Sequence, residues 1–288
     1  MSKPEDGNLG ILAGGGPMPA RIAAAAKAAG RGVFLLGFEG FADPAVLAPY
    51  PHEFARMGAA LRIRELLRAH DCRELVMVGS VRRPSILDLR PDALAVRLLG
   101  RIGRAAFAGD DGLLAAIVQV LHEEGFVVIG ADSVLREAVG PAGLLSRTAP
   151  DATAMADVER GIAVARALGA VDVGQGCVVQ QGIVLAVEAA EGTDAMLARA
   201  ADLARHGPGG VLVKLVKPGQ ERRADLPTLG PETIRLAALA GLRGIAFEAG
   251  GTLIAERETT IAAVDAAGLF LLGLDPANLA QPSDGGRK

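Results

Sequence analysis

Between residues 9 and 129 the chain repeats one arrangement, in which a short apolar run, a break and a helix-like stretch follow one another. The runs cover residues 9–13, 33–37, 75–78 and 126–129, and the helical stretches cover 19–29, 61–69, 91–107 and 111–124. Strands that are apolar throughout need cover on both faces, and intervening helices supply it by crossing over a parallel sheet. The first 130 residues therefore read as a parallel-sheet α/β domain. Residues 131–170, interrupted by Pro141, Gly143 and Pro150 and carrying a helix over 155–168, read as a connecting segment. Residues 171–288 change character and read as a mixed α/β domain. A hairpin is expected over 178–180 and 183–188, with Gly182 supplying a positive φ at the turn. Helices over 194–205, 232–240 and 256–267 follow, with a strand over 211–216. Strands over 245–248 and 252–254 are expected to pair with each other, and 270–272 is the last strand.

Composition narrows the function classes. The 288 residues suit two domains. They include no Trp, one Tyr and eight Phe, so the core must be aliphatic and no aromatic platform for nucleic acid is available. A net charge of −3 lacks the basic excess of a nucleic-acid binder. Cys72 and Cys177 lie far apart with no metal-like spacing, as expected of buried thiols in a reducing cytoplasm. His52, His70, His122 and His206 are scattered and argue against zinc. No apolar leader opens the sequence, so no secretory signal is expected. The longest charge-free stretch, 173–187, carries three Gln and three Gly, so no membrane-spanning helix is expected either.

Several loops carry candidate chemistry. Gly14, Gly15, Gly16 and Pro17 join the first strand to the first helix, where glycines and free N–H groups suit a phosphate. The dinucleotide pattern G-x-G-x-x-G is half met, because Pro19 takes the third glycine position, and no Gly-Lys-Ser/Thr follows. A tight structural turn explains the same residues. Gly79, Ser80 and Val81 follow the third strand and lead into Arg82 and Arg83, of which Arg83 is favoured as an anion contact. Asp110 is the expected cap of the next helix, and Asp111 could reach a ligand. In the second domain Glu188, Glu191 and Asp194 recur every three residues around Thr193. An acidic first helical turn accounts for Asp194 but not for Glu188 at the end of an apolar strand. Lys214 interrupts another apolar strand, where a charge is costly unless paired. Carboxylates that hold Mg²⁺ with Lys and Arg that neutralise oxygens suit phosphate-ester chemistry, and a carboxylate could orient or deprotonate the attacking water. A surface salt-bridge network accounts for the residues equally well.

The motifs taken in order go further. They are residues 9–16, 79–84, 109–111, 172–175, 187–194, 211–214, 217–220, 223–227 and 241–246. Together they resemble the UDP-2,3-diacylglucosamine pyrophosphatase family of the LpxI type, over about residues 9–274. The resemblance implies Mg²⁺-dependent hydrolysis of UDP-2,3-diacylglucosamine to UMP and 2,3-diacylglucosamine 1-phosphate (lipid X). This is a step of lipid A synthesis in Gram-negative bacteria, with water attacking the sugar-side phosphorus. It implies a Rossmann-like N-terminal domain and a distinct C-terminal domain with the lipid product between them. Carried over, Asp225 is the first catalytic or metal-binding carboxylate, Asp194 and Glu191 join it in catalysis, and Glu188 and Glu191 join it at the metal. Gly14, Gly15, Gly16, Pro17, Gly79, Ser80, Val81, Arg83, Asp111, Gln175, Thr193, Lys214 and Arg223 would hold substrate. Glu221 departs from the Asp expected there and keeps its charge. Cytoplasmic action follows from this reading, and peripheral contact with the inner membrane and a homodimer are compatible with it. Two other readings stay open. One is a nucleotide-dependent oxidoreductase using Glu39 for a ribose, and the other is a regulator that binds the nucleotide-sugar without cleaving it.

Overall fold

The alternation resolves into two units in a computed structural model that describes residues 7–81, 90–102 and 110–279, with the side chains at 99, 101, 102, 110 and 111 outside that set. The strands of the first unit are β1 (Asn8–Ala13), β2 (Val33–Phe38), β3 (His52–Ala55), β4 (Cys72–Val78) and β5 (Val127–Val128). Its helices are α1 (Met18–Ala28), α2 (Pro44–Leu47), α3 (Ala60–Ala69), α4 (Ala93–Ile102), α5 (Asp110–Glu123) and α6 (Ala131–Val134). The strands pair in parallel in the order β3-β2-β1-β4-β5, the Rossmann arrangement. β1 and β2 are buried along nearly their whole length because neighbours lie on both edges and helices on the faces. Leu12, Phe34, Leu36, Leu67 and Leu75 build one side of the core. Sequence periodicity misses β3, whose His52-Glu53-Phe54-Ala55 alternates polar and apolar because it is an edge strand. α4 is described only as far as Ile102 and α5 only from Asp110, which is already helical instead of preceding the helix.

The second unit contains β6 (Gly143–Leu144), α7 (Ala152–Ala170), β7 (Gly176–Gln180), β8 (Ile183–Val187), α8 (Gly192–Ala201), β9 (Val211–Lys214) and β10 (Thr228–Leu229). It continues with α9 (Pro231–Leu239), β11 (Gly244–Glu248), β12 (Leu253–Ile254), α10 (Arg257–Ala266), β13 (Phe270–Leu274) and α11 (Pro276–Leu279). The six-stranded sheet runs β6-β13-β11-β9-β7-β8, with β9, β11 and β13 parallel and β6, β7 and β8 antiparallel to their neighbours. Val211, Val213, Ala246 and Phe270 face α7, whereas Leu212, Ile245, Phe247 and Leu271 join Met196, Leu197 and Ile234 on the opposite face. The β7–β8 hairpin turns on Gln181 and Gly182, both at positive φ (53° and 75°), as a two-residue primed turn requires. Their N–H groups donate to the buried carboxylate of Asp157 at 3.1 and 2.7 Å.

Two expectations change. β11 and β12 do not pair with each other. Both edges of β11 are already taken by β9 and β13, and β12 instead lies parallel to β10 in a separate two-stranded ladder. The stretch 131–170 is also not a free-standing connector. Contacts divide the chain into 1–136 with Glu221–Asp225, and 137–220 with 226–288, and α7 lies against β7 and β9 as a structural part of the second unit. Among the described residues no helix is long and apolar enough to cross a membrane. Cys72 and Cys177 are free and buried, and burial pushes both thiols up to about 12.

Candidate active site

In the first unit, the loops after β1 and β4 flank the point where strand order reverses, the usual ligand crevice of such a sheet. They are zipped together. Gly15 donates its N–H to the Ser80 carbonyl at 2.8 Å and Ser80 returns the bond at 3.0 Å, while Gly14 donates to Val78 at 2.9 Å. A Cβ on Gly14 would lie 2.7 Å from the carbonyl oxygens of Gly79 and Ser80, so the glycines serve this backbone-to-backbone contact. Gly14→Ala is expected to force the loops apart and cost about 1–3 kcal/mol, measurable by chemical denaturation followed by circular dichroism. Two N–H groups of the glycine loop are therefore already used. Pro17 and Pro19 remove two more donors from the opening turn of α1, leaving Met18 and Ala20 to supply them. Val81 is exposed at the edge of this crevice. Arg82 and Arg83 lie outside the described residues, as does the side chain of Asp111.

In the second unit, sheet register explains the buried charges. Gly176 of β7 lies opposite Lys214 of β9, and its carbonyl accepts the Glu188 N–H at 2.8 Å. Lys214 and Glu188 thus flank one glycine on one face of the sheet. Gly176 leaves the room they need, since a Cβ there would sit 2.7 Å from Glu188 Oε2. Lys214 Nζ stands 3.6 Å from Glu188 Oε1 and donates to Thr193 Oγ1 at 2.5 Å. The Thr193 hydroxyl donates in turn to Glu188 Oε1 at 2.6 Å. Lys214 and Glu188 are only 4 % and 6 % exposed, so the pairing that a charge inside an apolar strand demands is met. Two buried oxygens in this region, Glu188 Oε2 and Gln175 Oε1, have no hydrogen-bond partner among the described residues.

The other acidic residues are placed differently. Glu191 stands exposed at the N-cap position of α8, makes no side-chain cap bond there and instead binds Arg199 at 2.5 Å. Its own backbone N–H and the Arg199 guanidinium hold its carboxyl below the usual carboxylate range. Asp194 is exposed in the first turn of α8, where the helix dipole favours a carboxylate.

The loop after β9 begins with a turn over Lys217-Pro218-Gly219-Gln220, closed by the Gln220 N–H on the Lys217 carbonyl at 3.1 Å with Gly219 at φ 80°. Lys217 Nζ binds Asp172 at 2.6 Å, tying this turn to the segment that precedes β7. The two charges stand 45 residues apart, and neither motif by itself signals the pairing. Beyond the turn, the chain enters the stretch that belongs with the first unit, where the Ala224 and Asp225 N–H groups both donate to the Glu221 carbonyl. Asp225 is half-buried there. Arg223 grips Glu221 with a two-pronged bond at 2.7 and 2.6 Å. That guanidinium holds the Glu221 carboxyl below its ordinary value of 4.5, and the carboxylate raises Arg223 in return. A depressed folded-state value means that the fork's contribution is present above pH 4.5 and is lost only as pH falls through the lower folded value. Titration of Glu221 by carboxyl NMR should therefore give a midpoint below 4.5, and Arg223→Gln should return it toward that value.

The residues singled out by sequence are thus brought together in part. Glu188, Thr193 and Lys214 form one cluster, and the glycine loops form another. Glu191 is committed to Arg199, Arg223 to Glu221, and Asp225 belongs to a different unit from Glu188. Among the described residues, no three of His, Cys, Asp or Glu gather into a group able to hold a metal.

Comparison with known proteins accounts for both units. Residues 8–138 match the LpxI N-terminal domain, and residues 141–272 match the LpxI C-terminal domain. The chain is also 45 % identical over 274 residues to the UDP-2,3-diacylglucosamine pyrophosphatase LpxI of Caulobacter vibrioides, covering 93 % of this chain and 98 % of that one. With both domains matched in order and nearly the whole length aligned, the chain belongs to the LpxI family.

Proposed function

We propose that the protein hydrolyses the diphosphate of UDP-2,3-diacylglucosamine, releasing UMP and 2,3-diacylglucosamine 1-phosphate, with Mg²⁺ as its cofactor. The observation that carries this reading is the 45 % identity across 98 % of an enzyme named for that substrate. The oxidoreductase reading loses support, because the Gly14 and Gly15 N–H groups that would meet a pyrophosphate are bonded to Val78 and Ser80. A regulator without catalysis leaves the buried Lys214–Thr193–Glu188 cluster without a task.

Water forms the new bond to the sugar-side phosphorus, the P–O bond to UMP breaks, and UMP leaves with the bridging oxygen and its charge. Asp225 orients the attacking water and takes its proton. Arg223 holds diphosphate oxygens by exchanging one prong of its bond with Glu221. Lys214 keeps Thr193 and Glu188 in place, so that Thr193 Oγ1 and Gln175 present fixed polar groups to the substrate. Mg²⁺ commonly takes one or two carboxylates and fills its remaining positions with water and phosphate oxygens, so it needs no three-carboxylate cradle. Glu188 would fit such a role, because its Oε2 is buried with no hydrogen-bond partner among the described residues. Asp225, which belongs to the other unit, would be a candidate donor in its own right, and Glu191 would first have to leave Arg199. The ion supplies charge neutralisation on the diphosphate. Incubation with UDP-2,3-diacylglucosamine, with and without Mg²⁺, should release UMP only when the metal is present. UMP release that persists in excess chelator would refute the metal, and no release in either condition would refute the function.

A further inference from the structure

A basic, partly apolar surface of the first unit takes no part in that chemistry. The chain carries a net charge of −3, yet the α3–α4 stretch, residues 56–68 and 90–97, contains six arginines against two carboxylates. Within this stretch Asp92 ties the starts of α3 and α4 together. Its Oδ2 accepts the Leu61 N–H at 2.8 Å, its Oδ1 accepts the Ala95 N–H at 2.8 Å, and its N–H donates to the Gly58 carbonyl at 3.0 Å. The clasp brings the first turns of both helices together, and each presents an aliphatic side chain to solvent. Leu61 is 42 % exposed and Val96 is 56 % exposed. Exposed arginines flank both residues in sequence. Arg62 and Arg97 adjoin Leu61 and Val96 in sequence, and Arg56 reaches the Arg90 carbonyl at 3.4 Å. Among the described residues opposing charge is sparse. Glu53 meets Arg62 only at 3.7 Å, Glu65 is exposed one turn further along α3, and Glu124 is already held by Arg64 and Arg68.

We infer that this face docks the protein on a membrane surface carrying anionic lipid. Stable interfacial attachment takes two weak signals together, apolar insertion and basic attraction, and the Leu61–Val96 pair within its arginine rim supplies both. A polyanion such as RNA would use the arginines and leave the aliphatic pair idle. The substrate class proposed above, a two-chain lipid on a water-soluble nucleotide, gives the docking its purpose. To that extent the inference rests on that reading.

Flotation of the full-length chain on vesicles tests it without substrate. The protein should float with phosphatidylcholine–phosphatidylglycerol vesicles mixed in equal parts and not with phosphatidylcholine alone, and salt should weaken the binding. Removing two arginines with Arg62→Gln and Arg97→Gln should weaken it about 25-fold, since each basic side chain at an anionic surface strengthens binding about fivefold. Leu61→Gln with Val96→Gln should also release the protein, while thermal melting and hydrolysis of detergent-dispersed substrate stay unchanged in both double variants. The inference fails if the wild-type chain ignores anionic vesicles, binds neutral ones equally, keeps its binding in either variant, or prefers duplex RNA. Hydrolysis absent from the wild type while flotation persists would refute the proposed function alone.

Discussion

Asp225→Ala should leave a folded protein that binds UDP-2,3-diacylglucosamine and turns it over about 10²–10⁴-fold more slowly, the range lost when a positioned proton acceptor is removed. Asp225 is half-buried, and its backbone N–H closes a turn on the Glu221 carbonyl that an alanine can keep. Thermal melting of the variant separates a loss of folding from a loss of chemistry. Single-turnover UMP release, with substrate binding measured separately, distinguishes the outcomes. Near-normal turnover would remove Asp225 from the mechanism. Loss of binding with unchanged turnover at saturation would make it a substrate contact.

Lys214→Met should produce the largest loss of stability, about 3–5 kcal/mol, because it strands the Glu188 carboxylate in a buried site. Lys214 is 4 % exposed and Glu188 6 %, and no other cation is paired with Glu188 among the described residues. Adding Glu188→Leu to Lys214→Met removes the stranded charge and should recover most of that loss, since an apolar pair can replace a buried ion pair at little cost. Chemical denaturation of the four proteins of this cycle measures the coupling. A Lys214→Met cost below about 1 kcal/mol would show that the pair contributes no more than an exposed one. The double variant also separates stability from function. If it is stable but inactive, the cluster serves catalysis as well as the fold.

Much of the first unit was legible because β1, β2 and β4 are internal strands, and internal strands of a covered parallel sheet are apolar along their length. β3 escaped because an edge strand tolerates alternation. The β7–β8 hairpin was legible from Gln181-Gly182, where the turn itself restricts the residues. β11 and β12 were misread as partners because closeness in sequence usually signals a hairpin, and nothing local reveals that both edges of β11 are occupied. At the site, Lys214 announced a buried partner, since an ammonium inside an apolar strand is too costly alone. The link between Asp172 and Lys217 was not legible, because two oppositely charged residues 45 positions apart look the same whether or not they meet.

Residue type and near-neighbour spacing therefore settled, from the sequence alone, the alternating α/β character and the glycine loops. The family and the roles of the chemistry-bearing residues came instead from the resemblance that the ordered motifs carry. Register and long-range pairing, which only the tertiary structure supplies, decided how those residues are used. Gly176 became the space between Lys214 and Glu188 because it lies opposite one and is hydrogen-bonded to the other across the sheet. The glycine loops, expected to cradle phosphate with their N–H groups, turned two of those donors toward neighbouring carbonyls instead. A hydrogen-bond donor has one proton to give, and which acceptor takes it is settled only when distant parts of the chain meet.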